Sequence, residues 1–370
     1  MNTYTDVPLL FQRYPQLQPR IPWLRLLTAS TPVQHMKSLG EKIGNTNLWI
    51  KMDDRSGSLY GGNKIRKLEF LLGEAVSSKC ASILTAGAYG SNQAVATTLY
   101  GKNLGLKVVL LLHPQPLDKD SPGMMNLIVN YTQGADVRLL SSPLIFLREY
   151  IRLGLQLLPL AQQNKTYYIP AGASTAIGCM GYVNAAIELH EQIETCQMPP
   201  PKAIFLPVGS GGTVAGLQAG FSILGVSYSI IGVTVHPTAS SYRAINRKSE
   251  KTIELLARHS HEIKRRTSPL SMVNLASGYI GEGYGYSTID GQNAVRLLLE
   301  TEGILLEGTY TGKAFAAFLN EARKLRSDAG PLLFWNTSNS ISLASYLPQK
   351  IDFSAYPPKL RQILGVALTK

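Results

Sequence analysis

Short apolar segments alternate with helical segments along most of the chain, and this alternation constrains the fold more than any other feature. Apolar runs at 46–52, 81–85, 107–112 and 203–208 are each followed by a segment whose apolar residues have helical spacing. Regular alternation of this kind predicts an α/β fold with parallel, doubly wound sheets and helices on both faces. Ligands bind such sheets at the carboxyl ends of the strands, so the loops that follow the strands are candidate sites.

The other predicted elements follow the same two patterns. The remaining predicted strands are short and apolar, and they cover 136–140, 166–169, 228–234, 304–306 and 332–335. The predicted helices have apolar residues three or four positions apart, and they cover 65–78, 94–104, 123–133, 144–157, 176–193, 239–257, 290–301 and 312–326, with another beginning at Thr213. Residues 1–30 predict an irregular arm that packs through its leucine and aromatic side chains.

Charge and length limit the possible partners. The 370 residues suffice for two domains, and the net charge of +12 is compatible with nucleic acid, a membrane surface or an anionic cofactor. The densest basic group, at 247–266, is interleaved with glutamates, which favours a solvated helical face over a nucleic-acid patch. No apolar run is long enough to span a bilayer. We therefore expect neither a nucleic-acid nor a membrane partner.

Cysteine usage bears on the compartment. Cys80, Cys179 and Cys196 form no Cys-x-x-Cys pair, and their number is odd. Such a set argues against a disulfide framework and favours a reducing compartment. Since the N-terminus shows no signal-peptide pattern, we expect a cytoplasmic protein. The scattered histidines and the lack of a His-Glu-x-x-His or Gly-x-Ser-x-Gly motif predict neither a metal site nor a serine hydrolase.

Lys64 is the first candidate for chemistry. It follows the glycine turn Gly61-Gly62-Asn63 and precedes the predicted helix 65–78. The positive end of the helix dipole disfavours the charged form of a lysine at this place, and a neutral amine can form a Schiff base with an aldehyde. Taken alone, a surface lysine on the first turn is the commoner explanation.

A glycine loop between an apolar strand and a helix is the second candidate. Its residues are Gly209, Ser210, Gly211, Gly212 and Thr213. Glycines allow close backbone approach, and N–H groups at a helix start bind anions, so the loop suits a single phosphate. It matches neither a Walker loop nor a dinucleotide fingerprint, and a purely structural glycine turn is the alternative.

Ser91, Asn92 and Gln93 open another predicted helix. Unpaired N–H groups at the helix start, together with these polar side chains, would hold a carboxylate. An ordinary helix cap is the alternative.

Together these loops resemble the D-cysteine desulfhydrase and 1-aminocyclopropane-1-carboxylate (ACC) deaminase family, which has the tryptophan synthase β type of pyridoxal-phosphate fold (fold type II). The most specific match is 61–69, which is similar to the family's cofactor-lysine segment. Further matches follow in the family's order, at 91–93, 170–182, 208–216, 283–285, 310–313 and 334–337. The resemblance implies a large domain of 1–60 and 172–370, a small domain of 61–171, and a homodimer.

The resemblance also implies roles for the candidate residues. Pyridoxal 5'-phosphate would join Lys64 through its aldehyde, with Asn63 at its 3-hydroxyl group, its phosphate on 209–213, and Thr311 and Thr337 near its ring. A small amino-acid substrate would place its carboxylate on 91–93. Lys64, once displaced, would be the base for the Cα proton. Catalysis would further involve Ser91, and Tyr284 or Tyr310 would handle the leaving group or a proton.

Two positions bear on the reaction. The family's deaminases usually carry Glu where this chain has Thr311 and Leu where it has Thr337. A hydroxyl near the ring nitrogen of the cofactor stabilises its protonated form less than a carboxylate does, and the weaker electron sink favours α,β-elimination. With D-cysteine, this reaction would give hydrogen sulfide, pyruvate and ammonia. Alternatives are an ACC deaminase, a lyase or racemase for another amino acid, and a non-catalytic binding protein. Departures from the family pattern affect the substrate more than the cofactor, and they occur at Ala173, Thr175, Glu307-Gly308 and 336–339.

Overall fold

The computed structural model describes residues 7–117, 121–140, 142, 144, 145, 148, 165–347 and 356–363. The chain forms two compact units. The first comprises Met1–Glu74 and Gly172–Ile341, and the second comprises Ala75–Ala171 and Ser342–Lys370.

The strands and helices are numbered in chain order. The strands are β1 (Val33–His35), β2 (Leu48–Met52), β3 (Ser82–Ala88), β4 (Lys107–His113), β5 (Asp136–Leu139), β6 (Thr166–Ile169), β7 (Ala203–Val208), β8 (Ser229–Thr234), β9 (Val273–Ala276) and β10 (Leu332–Asn336). The helices are α1 (Leu9–Arg13), α2 (Lys37–Ile43), α3 (Asn63–Ser77), α4 (Asn92–Asn103), α5 (Pro122–Thr132), α6 (Ala176–Glu194), α7 (Gly212–Leu224), α8 (Tyr242–Ala257), α9 (His261–Arg266), α10 (Ile289–Glu302), α11 (Thr311–Lys324) and α12 (Pro358–Ile363).

The first unit is built on a sheet with the order β1-β2-β10-β7-β8-β9. Its strands are parallel except β1, which runs antiparallel to β2. Phe334 on β10 lies beside Ile50 on β2 and Phe205 on β7. One face of the sheet packs on α2, α10 and α11, and the other packs on α6 and α7, as doubly wound topology requires.

The second unit is built on a parallel sheet with the order β5-β4-β3-β6. Leu110 and Leu112 on β4 belong to one apolar cluster with Leu127 on α5, while Leu111 belongs to another. This separation follows from the alternation of side chains along a strand. The sheet places the loop after β3, with Ser91 at its end, at the carboxyl edge.

The unit break at Ala171 and Gly172 coincides with a predicted domain boundary, whereas the second unit begins at Ala75 and also includes Ser342–Lys370. Helix α3 is continuous, and its first turns belong to the first unit, where Phe70 packs against Phe11. Near the C-terminus, Leu360 is buried in the core of the second unit, and the Lys359 amine donates to the Leu139 carbonyl over 2.8 Å. Residues 61–74 therefore belong to the first unit, and Ser342–Lys370 belongs to the second.

Other differences have local causes. Strands β1 and β9 were not predicted, since each is short and at a sheet edge. The predicted strand 304–306 is wrong, because these residues pair with no strand in the described ranges. Their side chains alternate as in a strand, with Ile304 and Leu306 buried and Leu305 exposed. Most of the predicted helix 144–157 lies outside the described residues. Within those residues, no helix has the length and apolarity needed to cross a membrane.

Candidate active site

The glycine turn brings Lys64 to the carboxyl end of β10. Gly62 has a φ of +83°, and a Cβ there would lie 2.7 Å from the Thr337 carbonyl oxygen. The Asn63 N–H donates to the same carbonyl over 3.2 Å. A side chain at Gly62 would therefore separate the turn from the strand end, and glycine is required for this approach. Helix α3 begins at Asn63, two residues before the predicted start, so Lys64 lies within its first turn.

Lys64 lies in surroundings that favour its neutral form. Its side chain is only partly accessible. Burial lowers the pKa of the Lys64 amine well below its usual value, and the charge of Lys67 lowers it further. The sequence suggests only the helix dipole as a cause, whereas burial and a neighbouring cation dominate in the folded chain. A neutral amine is the nucleophilic and basic form.

Arg66 anchors the same turn in a buried ionic network. Its guanidinium donates to Asp53 Oδ1 over 3.0 and 2.7 Å, and to both oxygens of Glu188 over 3.1 and 2.9 Å. Lys51 donates to Glu188 over 2.5 Å and to the Thr31 carbonyl over 2.6 Å. All four charged side chains are almost completely buried. The network ties the start of α3 to β2 and α6.

The charges in this network balance. Burial by itself would raise the pKa of Glu188, but Arg66 and Lys51 outweigh it and hold the pKa at about 2. Asp53 Oδ2 accepts from the Tyr182 hydroxyl over 2.6 Å and from the Trp335 indole over 2.7 Å. Such a fully hydrogen-bonded network fixes geometry, because each group would be costly to leave unpaired. The sequence signal that could have identified it is a charge inside an apolar strand, as at Lys51.

The glycine loop 209–213 joins β7 to α7. Gly211 has a φ of +77°, and a Cβ there would lie 2.8 Å from the Ser240 Cβ. No side chain caps the N-terminus of α7, so its first N–H groups are available to an anion. The Asn63 amide donates to the Thr213 hydroxyl over 3.1 Å. The structure thus brings Asn63 and the glycine loop together.

Two residues without a predicted role, Ser174 and Lys67, lie beside the glycine loop 209–213. The Ser174 and Ser210 hydroxyls are 2.6 Å apart. The Lys67 amine donates to the Gly172 carbonyl over 3.1 Å and lies 3.4 Å from the Ser174 hydroxyl. Burial lowers the pKa of Lys67 to about 8. Lys67 lies one helical turn after Lys64, and this spacing was the available signal.

Tyr284 and Tyr310 form a pair beside the glycine loop. The Tyr310 hydroxyl donates to the Tyr284 hydroxyl over 2.7 Å, and the ring centroids are 5.6 Å apart. A Cβ on Gly209 would lie 3.5 Å from the Tyr310 ring. Burial raises the pKa of Tyr284 to about 12 and raises that of Tyr310 well above its usual value. Both phenols therefore keep their protons at neutral pH.

Thr311 is fully buried at the start of α11 and is bound to Glu307. The Thr311 hydroxyl lies 3.1 Å from the Glu307 carboxylate, which also accepts the N–H groups of Tyr310 and Thr311. Glu307 thereby supplies the capping acceptors that α11 needs at its N-terminus. In the sequence, Glu307 stands out only as a departure from the family pattern, and the fold alone connects it to Thr311.

Thr337 follows β10 and is buried beside Asn336. Asn336 Oδ1 accepts from the Ser338 hydroxyl over 2.6 Å and from its N–H over 3.2 Å. Asn336 Nδ2 is buried and has no hydrogen-bond partner among the residues that the structure describes. An unpaired buried donor at a strand end is costly, and a ligand with an acceptor atom would satisfy it.

Ser91, Asn92 and Gln93 lie in the second unit, whereas the other predicted site residues lie in the first. Ser91 caps α4, since its hydroxyl accepts from the Ala94 N–H over 3.2 Å. The Gln93 amide donates to the Thr97 hydroxyl over 2.8 Å. Asn92 Oδ1 accepts from the Asn126 amide over 2.7 Å. The predicted cap is therefore present, and the three side chains are held in defined orientations.

A family model described as pyridoxal-phosphate dependent enzyme matches residues 24–337. The chain belongs to this family. Its curated relatives include D-cysteine desulfhydrases from Klebsiella pneumoniae and Salmonella schwarzengrund. Each is 33% identical, and each alignment covers 89% of this chain and 97% of the relative.

Solved structures share this architecture. The structure of an ACC deaminase homologue is 29% identical to this pyridoxal-phosphate-dependent enzyme, with a TM-score of 0.74, and the match covers 90% of this chain and 98% of that one. A fungal L-serine ammonia-lyase from Rhizomucor miehei is 17% identical, with a TM-score of 0.59 and coverage of 87% and 98%, which bears on the fold alone. The predicted family, fold class, cofactor and lyase class are confirmed.

The first unit contains groups that fit pyridoxal phosphate. Lys64 offers an amine for the aldehyde, and burial lowers the pKa of that amine. The start of α7, with Gly211 in the left-handed region, offers N–H groups for the phosphate. Asn336 Nδ2 is a buried donor that a polar ligand atom would satisfy. These three features are the ones that such a cofactor needs.

Proposed function

We propose that this pyridoxal-phosphate-dependent enzyme is a carbon–sulfur lyase that performs α,β-elimination on a small amino acid, with D-cysteine as the substrate. D-Cysteine and water would give hydrogen sulfide, pyruvate and ammonia. The partly accessible Lys64 carries the proposal, because elimination begins with removal of the Cα proton and the lowered pKa of Lys64 favours the neutral amine that can accept it. The similarity to D-cysteine desulfhydrases supports the choice of substrate.

The bound cofactor would supply a sink for the electron pair that remains when the Cα–H bond of the substrate is broken. We assign its anchorage to Lys64, its 3-hydroxyl contact to Asn63, its phosphate to 209–213, and its ring contacts to Thr311 and Thr337. The positive charge of Lys67 beside Ser174 adds electrostatic attraction for the phosphate. Lys64 then holds the proton taken from Cα.

The tyrosine pair is assigned to the leaving group. Tyr310 donates to Tyr284, and burial keeps both phenols protonated at neutral pH. A protonated phenol can give its proton to the departing sulfur. The hydrogen bond between the two hydroxyl groups lets the other phenol support this proton transfer. Exchange of either tyrosine for Phe should lower kcat.

The substrate carboxylate is assigned to Ser91, Asn92 and Gln93. These residues open α4, whose first N–H groups and positive dipole end favour a carboxylate. The Ser91 hydroxyl accepts from a backbone N–H and can direct its own proton to the substrate. We include Ser91 among the catalytic residues because it would orient Cα toward the base.

The test is a product assay with the purified, cofactor-loaded protein. D-Cysteine should release sulfide and pyruvate in equal amounts, faster than L-cysteine does. Tyr310→Phe should lower kcat, while Tyr286→Phe, an exposed tyrosine in the same loop as Tyr284, should leave it unchanged. Loaded protein that released no sulfide from D-cysteine would contradict the proposal.

An ACC deaminase is the second candidate, and the similarity to an ACC deaminase homologue favours it. Formation of 2-oxobutyrate from ACC, faster than release of sulfide from D-cysteine, would establish it.

We also propose that the protein acts in the cytoplasm as a homodimer. Cys80, Cys179 and Cys196, all within the described residues, form no disulfide, which suits a reducing compartment. Light scattering of the purified protein tests the dimer.

A further inference from the structure

A buried asparagine on α5 lies behind the loop assigned to the substrate carboxylate. Asn126 is 2% exposed. Its Nδ2 donates to the Gly90 carbonyl over 3.1 Å and to Asn92 Oδ1 over 2.7 Å. A Cβ on Gly90 would lie 2.7 Å from the Gly123 Cα, so the start of α5 lies directly against this loop. The short backbone separation allows the Asn126 side chain to reach it.

The hydrogen bonds determine which way both amides face. The Gly90 carbonyl can only accept, so Asn126 must present its NH₂ group to the loop. Asn92 must then present its oxygen to Asn126, because two NH₂ groups cannot hydrogen-bond to each other. The NH₂ group of Asn92 consequently points away from α5. The orientation follows from bonding capacity and does not depend on distinguishing nitrogen from oxygen in an amide.

We propose that Asn126 is a positioning residue that makes Asn92 a hydrogen-bond donor to the substrate carboxylate. The inference rests on the proposed function, in which 91–93 bind that carboxylate. A free asparagine amide can turn either its oxygen or its NH₂ group toward a ligand, and the oxygen would repel a carboxylate. Asn126 removes the unfavourable orientation before the substrate arrives. Preorganisation of this kind improves binding by avoiding an ordering cost.

Two variants change the hydrogen bonds between Asn126 and the loop in different ways. Asn126→Leu removes both hydrogen bonds at similar volume, and with them the constraint that Asn126 places on the Asn92 amide. Asn126→Asp replaces the donor by an acceptor, so that Asn92 turns its NH₂ group inward and its oxygen outward. We expect KM for D-cysteine to rise about 10-fold in Asn126→Leu and more in Asn126→Asp, as for loss of a hydrogen bond to a charged group. kcat should change less than about threefold.

Asn130→Leu is the matched control. Asn130 lies one turn further along α5, is fully buried, and accepts from the Thr98 hydroxyl on α4 over 2.8 Å. This variant removes the same residue type from the same helix but leaves the Gly90 loop intact. It should lower the melting temperature and leave KM unchanged. An equal rise in KM in both variants would show a general packing effect and overturn the proposal.

A double variant tests whether Asn126 acts through Asn92. Asn92→Ala alone should raise KM, and adding Asn126→Leu should raise it no further, because the group that Asn126 orients is already gone. Multiplicative effects would overturn the proposal. Asn126→Asp preserves side-chain size and gives an independent answer if Asn126→Leu does not fold.

Equilibrium binding separates this inference from the proposed reaction. Calorimetric titration of the holoenzyme with D-alanine, which lacks a leaving group, should show weaker binding in Asn126→Asp. Titration with cysteamine, which lacks the carboxylate, should show no change. Absence of sulfide release from D-cysteine with this binding pattern intact would refute the reaction but support the role of Asn126. Sulfide release with KM and D-alanine affinity unchanged in Asn126→Asp would refute only the inference.

Discussion

Substitution of Arg66 by Met tests the buried network that anchors the cofactor-lysine turn. Arg66 donates two hydrogen bonds to Asp53, two to Glu188 and one to Thr31. Methionine fills a similar volume but leaves two buried carboxylates with Lys51 as their remaining cation. Removal of one partner from a buried ion pair costs about 3–5 kcal/mol. We expect a loss of this size in the free energy of unfolding, which is a large share of ordinary stability.

A double-mutant cycle in urea, followed by tryptophan fluorescence, measures the coupling. Glu188→Gln removes one of the carboxylates that Arg66→Met leaves without its main cation. The double variant should therefore lose at least about 1 kcal/mol less than the sum of the single losses. Lys42→Met, which breaks an exposed pair with Glu300 at 3.3 Å, should cost about 1 kcal/mol or less. Additivity within about 0.5 kcal/mol would refute the electrostatic explanation and leave only packing.

The same variant also reports on the site. Arg66 lies two residues after Lys64 on the first turns of α3. If the network holds that turn in place, Arg66→Met should weaken retention of the cofactor, measured as the fraction lost on dialysis. Unchanged retention would mean that Gly62 and Asn63 fix the turn without help from the network.

The remaining predictions concern the cofactor site, the reaction and pH. Lys64→Ala should lower activity by several orders of magnitude, and borohydride should no longer attach the cofactor covalently. Gly211→Val should weaken cofactor binding, measured by titration, far more than it changes the absorbance of bound cofactor, because a Cβ would meet Ser240. Thr311→Glu with Thr337→Leu should shift products from sulfide toward 2-oxobutyrate. Burial raises the pKa of Glu69 to about 7 from 4.5, so the folded state holds an extra proton and stability falls as pH rises between these values. Glu69→Gln should remove that slope in urea titrations.

Short segments of sequence carry most of the correct predictions. The strand before Gly209 is defined by 6 neighbouring residues, the helix after it by 13, and the helix that contains Lys64 by 15. The lowered pKa of Lys64 is different, because it depends on burial in the folded chain. The sequence therefore predicts the place of the amine, while only the fold explains the shift of its pKa.

Contacts between distant residues account for what the sequence could not predict. Glu188 is 122 residues from Arg66, and Asn126 is 34 residues from Asn92. Both pairs use residue types that are usually exposed, so no apolar pattern marks them. The edge strand β1 was missed for a related reason, since its pairing with β2 is specified by the partner strand rather than by its own three residues.

Glu307 shows how two departures from a family pattern can be one feature. The family usually has Asp-Pro at 307–308, and its deaminases have Glu at 311, where this chain has Glu307 and Thr311. In the structure, the longer Glu307 side chain reaches the Thr311 hydroxyl at 3.1 Å and its N–H at 2.7 Å. A glutamate at 311 would place a second carboxylate beside the first, and such a pair resists full ionisation. Adding Glu307→Asp, which withdraws the first carboxylate by one methylene, should therefore enlarge the shift toward 2-oxobutyrate produced by Thr311→Glu with Thr337→Leu. An unchanged product ratio in the triple variant would show that position 307 does not limit the carboxylate at 311.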